Sequence, residues 1–323
     1  MWRKKPSTPP TPCRMLPKKK QPLYLLKLLK KQQPRKRRMM TRRKNRTMSI
    51  RVDLHTHSTA SDGVFSPPDL VREALRNGLD VIALTDHDSF VGSDQARTLM
   101  SGVTVIPGVE LSIRDMSGLH LLGYGTALGG ELRRTVEDLS FRRKNRARLM
   151  LEKLAELGMP LDADRLITSC QGSLGRPHIA RAMVEAGYVL SNEEAFRLYI
   201  GNDGPAYVGG ERLTMEQALH LMRISGFVPV LAHPAELKLP LKDLRVLVEK
   251  WRSLGLMGME VYHPSARKYG MDSLDRMARE MHLLVTGGSD FHTPGDHHGE
   301  LGAMLKHWRS CQEDYDALLD AMG

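Results

Sequence analysis

The stretch Asp53-Leu54-His55-Thr56-His57 decides how this chain reads. Two histidines one residue apart on an extended strand point to the same face. Ser61-Asp62-Gly63 follows at once, and Thr85-Asp86-His87 comes after the next apolar run. Imidazoles gathered on one face, with a carboxylate and a third histidine arriving from neighbouring segments, suit a metal site better than an apolar core.

Outward from that stretch, the text alternates strands and helices. A strand is expected over 49–54. Ser66 is placed to cap a helix that has Pro67 in its first turn and Leu70, Val71, Ala74 and Leu75 at helical spacing, with Gly78 ending it. The unbroken apolar run over 80–85 reads as a buried parallel strand, which completes a βαβ unit. Strands follow over 103–106 and 110–113, then a turn at 115–118 and a returning hairpin arm at 119–124. From 131 the pattern breaks. Leu132, Val136, Leu139, Leu154 and Leu157 mark one long helix over 131–157, and further helices are expected over 176–187 and 192–200, before a segment containing Gly and Pro at 201–210. The alternation resumes with a helix at 214–225, a strand at 228–232, a helix at 242–253, a strand at 258–261, a helix at 265–280 and a strand at 283–286. There is no internal repeat. Strands alternating with helices, with polar residues at strand C-termini, favour a barrel-like α/β fold over an open sheet. The division expected is 1–47, a disordered basic extension; 48–130, the first part of the barrel; 131–212, a helical insert; and 213–323, the rest of the barrel.

The net charge of +11 belongs to one end. Residues 1–50 hold 18 of the 48 Lys and Arg and none of the 37 acids, which leaves the remainder with seven more acids than bases. Residues 1–47 are rich in Pro, Lys, Arg and Thr without periodicity and read as disordered. Three readings compete for them: translation starting at Met48, Met39 or Met40 instead, an RNA-binding arm attracted by phosphate, or an organelle-targeting peptide. No run approaches the ~18 apolar residues that a membrane span needs, so no membrane partner is expected. Three widely spaced cysteines, Cys13, Cys170 and Cys311, argue against a disulfide framework or a thiolate metal site and fit the cytoplasm.

Polar groups close nearly every strand. His55 and His57 end the first, with Asp62 in the loop behind them. His87 ends the second, Glu110 follows the third, His120 opens the hairpin arm, His233 follows 228–232, and Asp290 and His292 follow 283–286. In a parallel α/β barrel these ends meet on one rim. Nine N/O donors without sulfur suit Mn, Zn or Fe. Nine are too many for one ion and fit two or three sharing a bridging carboxylate, with Glu110 and Asp290 the candidates. A lone buried histidine is usually structural, and His120 is the weakest single case. His282, His297, His298 and His307 lack strand-end placement and read as surface residues. His-x-His, Thr-Asp-His and Ser-Asp-Phe-His, each after an apolar strand, would rarely coincide by chance.

Asp53-Leu54-His55-Thr56-His57-Ser58, Thr85-Asp86-His87-Asp88, Pro107-Gly108-Val109-Glu110, Ala232-His233-Pro234 and Gly288-Ser289-Asp290-Phe291-His292 resemble the motifs of the polymerase and histidinol phosphatase (PHP) superfamily. The resemblance implies a distorted seven-stranded (β/α)7 barrel with three metal ions. Carried over, His55, His57, Glu110 and Asp290 would hold one ion, Glu110, His120 and His233 a second, and Asp62, His87 and His292 a third. Some members have histidine where this chain has Asp62. The insert sequence Gly175-Arg176-Pro177-His178-Ile179-Ala180 and the strand end Glu260-Val261-Tyr262-His263-Pro264 resemble the branch that hydrolyses nucleoside 3′,5′-bisphosphates, whose bacterial members also degrade RNA from the 5′ end.

The expected chemistry is in-line attack on phosphorus by hydroxide generated between adjacent dications, with Glu110 and Asp290 at the metals and His263 delivering a proton to the leaving oxygen. Asp86 is expected to orient His87 or another ligand. A substrate with two phosphates needs cations away from the metals. Arg176 and His178, at a Gly-Arg-Pro-His helix start, are expected to read the 5′-phosphate. Arg146 joins them, from a charged run in which Arg142, Arg146 and Leu149 share one helical face. The partner expected is therefore a nucleoside bisphosphate or a short 5′-phosphorylated RNA. Two alternatives stay open: another PHP activity, as a histidinol-phosphate phosphatase or DNA exonuclease, and a nonenzymatic RNA binder that uses the basic tail. Removing residues 1–47 separates the last from the rest, since an enzyme of this kind keeps its turnover without them.

Overall fold

The computed structural model describes residues 50–99, 102–126, 130–170, 172–268, 270–295 and 299–323. The expectations for residues 1–47, and for His297 and His298, lie outside the described residues. Seven strands lie in chain order around one sheet: β1 (Val52–Thr56), β2 (Val81–Leu84), β3 (Thr104–Ser112), β4 (His120–Tyr124), β5 (Val228–Leu231), β6 (Gly258–Tyr262) and β7 (Leu284–Gly287). Neighbours pair in parallel except β4, which is antiparallel to both β3 and β5. Beyond β7, Phe291 bridges to Thr56, and its carbonyl accepts the His57 N–H at 2.9 Å, so the sheet nearly closes into a barrel. The barrel-like α/β architecture is the one the alternating text implies.

β3 is one strand where two were expected. Thr104 to Pro107 pair with β2, and Gly108 to Ser112 pair with β4. The change of partner falls at Pro107-Gly108, where proline has no N–H to give a ladder. The reversal of β4 matters for the rim. An antiparallel strand presents its first residue where its parallel neighbours present their last, so His120 pairs with Ser112 at the C-terminal end of β3.

Ten α-helices are seen among the described residues: α1 (Pro67–Arg76), α2 (Val91–Ala96), α3 (Glu131–Glu156), α4 (Ala163–Ser169), α5 (Arg176–Glu185), α6 (Asn192–Ala195), α7 (Met215–Ile224), α8 (Leu241–Ser253), α9 (Met271–Glu280) and α10 (Cys311–Met322). The Ser66 hydroxyl caps α1 by accepting the Asp69 N–H at 3.3 Å. Leu70, Val71 and Ala74 are buried, whereas Leu75 is 51% exposed, so the apolar stripe of α1 is narrower than its spacing suggests. The single helix expected over 265–280 is two pieces, a 3₁₀ turn at Pro264–Lys268 and then α9. Gly270, at φ +79°, breaks the run between them. Helices α2, α4 and α10 were not expected. Among the described residues no helix is long and apolar enough to cross a membrane.

One apolar core joins the strands to their helices, with Leu121, Leu122, Val230 and Met259 fully buried. A second is made within 147–206 from residues such as Met150, Leu154, Ile179, Met183 and Ile200. This segment touches the rim directly: the Ser173 N–H donates to the Ala60 carbonyl at 2.9 Å.

Candidate metal centre

The rim gathers all nine donors expected from the strand ends. His55 Nε2, His57 Nε2, Glu110 Oε2 and Asp290 Oδ1 form one group, with separations of 3.1 Å between the imidazoles, 3.4 and 3.3 Å from them to Glu110, and 3.3 and 3.1 Å to Asp290. Glu110 Oε1, His120 Nδ1 and His233 Nε2 form a triangle with sides of 3.0, 2.9 and 3.1 Å. Asp62, His87, His292 and His57 make a looser third group, Asp62 standing 3.3 Å from His292 Nε2 and 3.9 Å from His87 Nε2. His87 lies between groups, because its Nδ1 is 2.9 Å from Glu110 Oε2.

These spacings fit ions. Ligand atoms about 2.1 Å from one dication sit about 3.0 Å apart at the corners of an octahedron and about 3.4 Å apart at those of a tetrahedron. Two further observations agree. Glu110 Oε2 is buried against three histidine nitrogens yet accepts no hydrogen bond among the described residues, because their lone pairs aim at a shared point. Burial alone would raise the Glu110 carboxyl, but the charges of His87, His120 and His55 hold it well below the usual carboxylate range. Burial likewise opposes protonation of His57, and Asp290 and Glu110 overcome it, lifting the ring to about 10. A field that attracts a proton so strongly attracts a dication in its place.

The fold holds the donors from behind. Asp53 accepts from the Ser289 N–H at 2.9 Å, the Ser289 hydroxyl at 2.7 Å and the Gly302 N–H at 2.7 Å, which ties β1 to the loop carrying Asp290. Gly288 lies flat on His55, and any side chain at that position would strike the His55 backbone and Cβ. His233 (φ 25°) and Asp290 (φ 53°) adopt left-handed backbone, which costs about 1–3 kcal/mol each and is found where a site over-determines its residues. Asp86 accepts from Ser58 N–H, Ser58 Oγ and Ser61 Oγ at 2.7–2.8 Å, and Ser61 Oγ stands 3.3 Å from His57 Nδ1. Asp86 thus reaches His57 rather than its sequence neighbour His87.

The PHP domain family matches residues 53–187. A 5′-3′ exoribonuclease of Haemophilus influenzae is 33% identical over 251 residues, covering 76% of this chain and 92% of that protein. The chain belongs to the PHP family. A 3′,5′-nucleoside bisphosphate phosphatase of Chromobacterium violaceum is 29% identical over 264 residues, covering 78% of this chain and 90% of the relative. The structure of a Bifidobacterium adolescentis protein described as a metal-dependent phosphoesterase superposes with a TM-score of 0.74 at 26% identity, covering 84% of this chain and 96% of that one. This PHP protein is a metal-dependent phosphoester hydrolase.

The PHP rim holds residues the sequence reading missed. Glu260, fully buried in β6, stands 3.0 and 3.2 Å from His55 Nδ1 and accepts the His233 N–H at 2.8 Å. It fixes the His55 tautomer that turns the Nε2 lone pair to the site. Glu236 stands 3.5 Å from His233 Nδ1. Replacing Glu260 with Gln is expected to weaken metal binding by about 10- to 100-fold, the usual effect of losing a carboxylate behind a ligating histidine. Competition with a chromogenic chelator measures this, and unchanged affinity would remove Glu260 from the site.

The expected substrate residues divide. Arg146 is 9% exposed, and no hydrogen bond or ion pair to it is seen among the described residues. Burial comes first, then the charges of Arg143, Arg212 and Arg176, in bringing its guanidinium down to about 10. Arg142 and Leu149 share its helical face, as expected from their spacing, but not its burial. Both are exposed, and Arg142 pairs with Asp138 and Glu211. Arg176 donates to the Ile200 carbonyl and to Asn202 and lies over the rings of Phe196 and Tyr207. His178 does not join it. Its Nδ1 accepts the Gly175 N–H at 3.2 Å, capping α5. Arg143, not singled out from sequence, bridges Ser173 (2.8 Å), Ser112 (2.9 Å) and Asp88 (3.0 Å), which anchors the arginine cluster one residue from His87.

Proposed function

We propose that this protein removes the 3′-phosphate from nucleoside 3′,5′-bisphosphates and, by the same attack, trims 5′-phosphorylated RNA from its 5′ end. The observation that carries this is Arg146. A buried guanidinium whose Nε has no partner among the described residues, beside three more arginines, is costly unless an anion fills the space. A second phosphate on the substrate is that anion, and Arg143 places the cluster beside the metal rim. Relatives named as an exoribonuclease and as a bisphosphate phosphatase support a reading in which one attack serves two substrates. In the proposed reaction the 3′-oxygen leaves phosphorus in both, and the RNA differs only in carrying a second ester substituent, the 5′-oxygen of the next nucleotide.

Two or three divalent ions, Mn, Fe or Zn, would be held by the nine donors, and they would supply the charge that ionises water near neutral pH and offsets the phosphoryl oxygens. The chain's own residues do the rest. Glu110 spreads its two oxygens over two donor groups and so fixes their spacing. Arg146 and Arg176 hold the 5′-phosphate, which orients the 3′-phosphate at the rim. His263 provides the proton. The Ser265 N–H donates to its Nδ1 at 3.1 Å, so the neutral ring keeps its hydrogen on Nε2, 3.5 Å from Asp290 Oδ2. Nε2 has no hydrogen-bond partner among the described residues and is free to hand its hydrogen to the leaving oxygen while Nδ1 takes up a proton from solvent through the Ser265 hydroxyl, 2.7 Å away. The free, buried Cys170 and Cys311 fit action in the cytoplasm.

The test is a turnover screen of purified protein with Mn²⁺ on adenosine 3′,5′-bisphosphate, histidinol phosphate and a 5′-phosphorylated short RNA. The bisphosphate and the RNA should be cleaved, and preference for histidinol phosphate would overturn the reading. Arg146→Met should raise KM for the bisphosphate by about 10- to 100-fold, the worth of a hydrogen bond to a charged group, and leave KM for adenosine 3′-monophosphate nearly unchanged. Equal effects on both esters would remove Arg146 from 5′-phosphate recognition.

A further inference from the structure

Between α4 and α5 runs a groove with a cavity of about 410 Å³, inside the range of about 300–1,000 Å³ typical of small-molecule sites. Leu161, Leu166 and Ala182 give it apolar walls, and Arg165 and Arg181 line it with positive charge. His178, Arg181 and Glu185 fall on one face of α5, which sets the groove along that helix for about 10 Å. Its inner end meets the metal rim, because Arg181 Nη2 donates to the Asp62 carbonyl at 3.1 Å. Glu185 marks the outer end. The Asp162 carboxylate is occupied in capping α4, accepting the Arg165 N–H at 2.9 Å. The exposed Arg165 guanidinium makes no hydrogen bond or ion pair among the described residues.

We propose that this groove is the subsite for the nucleotide on the 3′ side of the scissile phosphate, its base against the apolar walls and the next phosphate on Arg165. Aliphatic walls beside an unpaired cation, next to the Asp62 loop of the rim, offer apolar contact to a base and charge to the backbone phosphate that follows it. A bisphosphate ends at the scissile phosphate and never enters the groove, so the groove sets the preference for RNA over mononucleotide. This inference rests on the RNA-trimming reading above.

The experiment measures kcat/KM of wild type, Arg165→Ala, Arg165→Glu and Arg165→Lys on a 5′-phosphorylated tetraribonucleotide and on adenosine 3′,5′-bisphosphate, over a range of salt. Arg165→Ala should lower the RNA value about tenfold, Arg165→Glu should lower it further, and Arg165→Lys should restore most of it. The bisphosphate values should stay within twofold. The log–log salt slope on RNA should fall by about 0.7 in Arg165→Ala, the loss of one single-strand phosphate contact. An unchanged ratio of RNA to bisphosphate turnover in Arg165→Ala overturns the inference alone. Wild type that cleaves the bisphosphate but no RNA overturns it together with the RNA half of the reading.

Discussion

Glu110→Gln should strip the protein of most of its metal and nearly all of its turnover. Glu110 is fully buried, and both its oxygens face histidine nitrogens: Oε1 lies 3.0 and 2.9 Å from His120 and His233, and Oε2 lies 2.9, 3.3 and 3.4 Å from His87, His57 and His55. The amide keeps the shape but turns one acceptor into a donor and removes the charge that offsets two cationic groups at once. Breaking a buried charge arrangement from one side costs about 3–5 kcal/mol, or about 10²- to 10⁴-fold in affinity at about 1.4 kcal/mol per decade. Metal analysis after dialysis against limiting Mn²⁺ reads the loss without reference to activity. A variant that keeps the wild-type ion content and rate would show that Glu110 is a structural carboxylate.

His263→Asn should act on the rate and not on the metal. A positioned proton donor contributes about 10²- to 10⁴-fold, and kcat on a nucleoside 3′-phosphate should fall by that much, because an alkoxide leaves poorly without a proton. On p-nitrophenyl phosphate, whose phenolate leaves unaided, the fall should be small. Metal content should match wild type. If both esters lose equally and an ion is lost as well, His263 is a ligand, grouped with Asp290 and Glu236, and the proton comes from elsewhere.

Most donors of the rim were legible because they close or follow a short apolar run, where a polar residue has one place to point; His120 opens its strand and Asp62 lies in the loop behind the first. Glu260 had the opposite signature and was missed. It sits inside the run Gly258-Met259-Glu260-Val261-Tyr262, where a lone carboxylate between apolar neighbours can be buried only with a partner; the same signal marks Asp53. The arginines were harder. Helical spacing groups residues into faces but does not say which face turns inward. Arg142, Arg146 and Leu149 share a spacing, yet only Arg146 is buried, because the Gly210 backbone closes over it, with no room there for a side chain. Arg143 lies three residues before Arg146 on the same helix, but Arg212 enters the cluster from a segment far away in sequence, which no local pattern encodes. The breaks at Pro107-Gly108 and Gly270 show the same limit from the other side. A proline permitted a change of partner within one strand, and a glycine turned one expected helix into two.

The near closure of the sheet between β1 and Phe291 has a consequence for how the protein is made. His55 is made 235 residues before Asp290 and His292 follow. At about 5–20 residues per second of synthesis, the first histidines wait tens of seconds for their partners. A nascent chain therefore carries a half-built centre until the segment bearing Asp290 and His292 arrives to close the sheet.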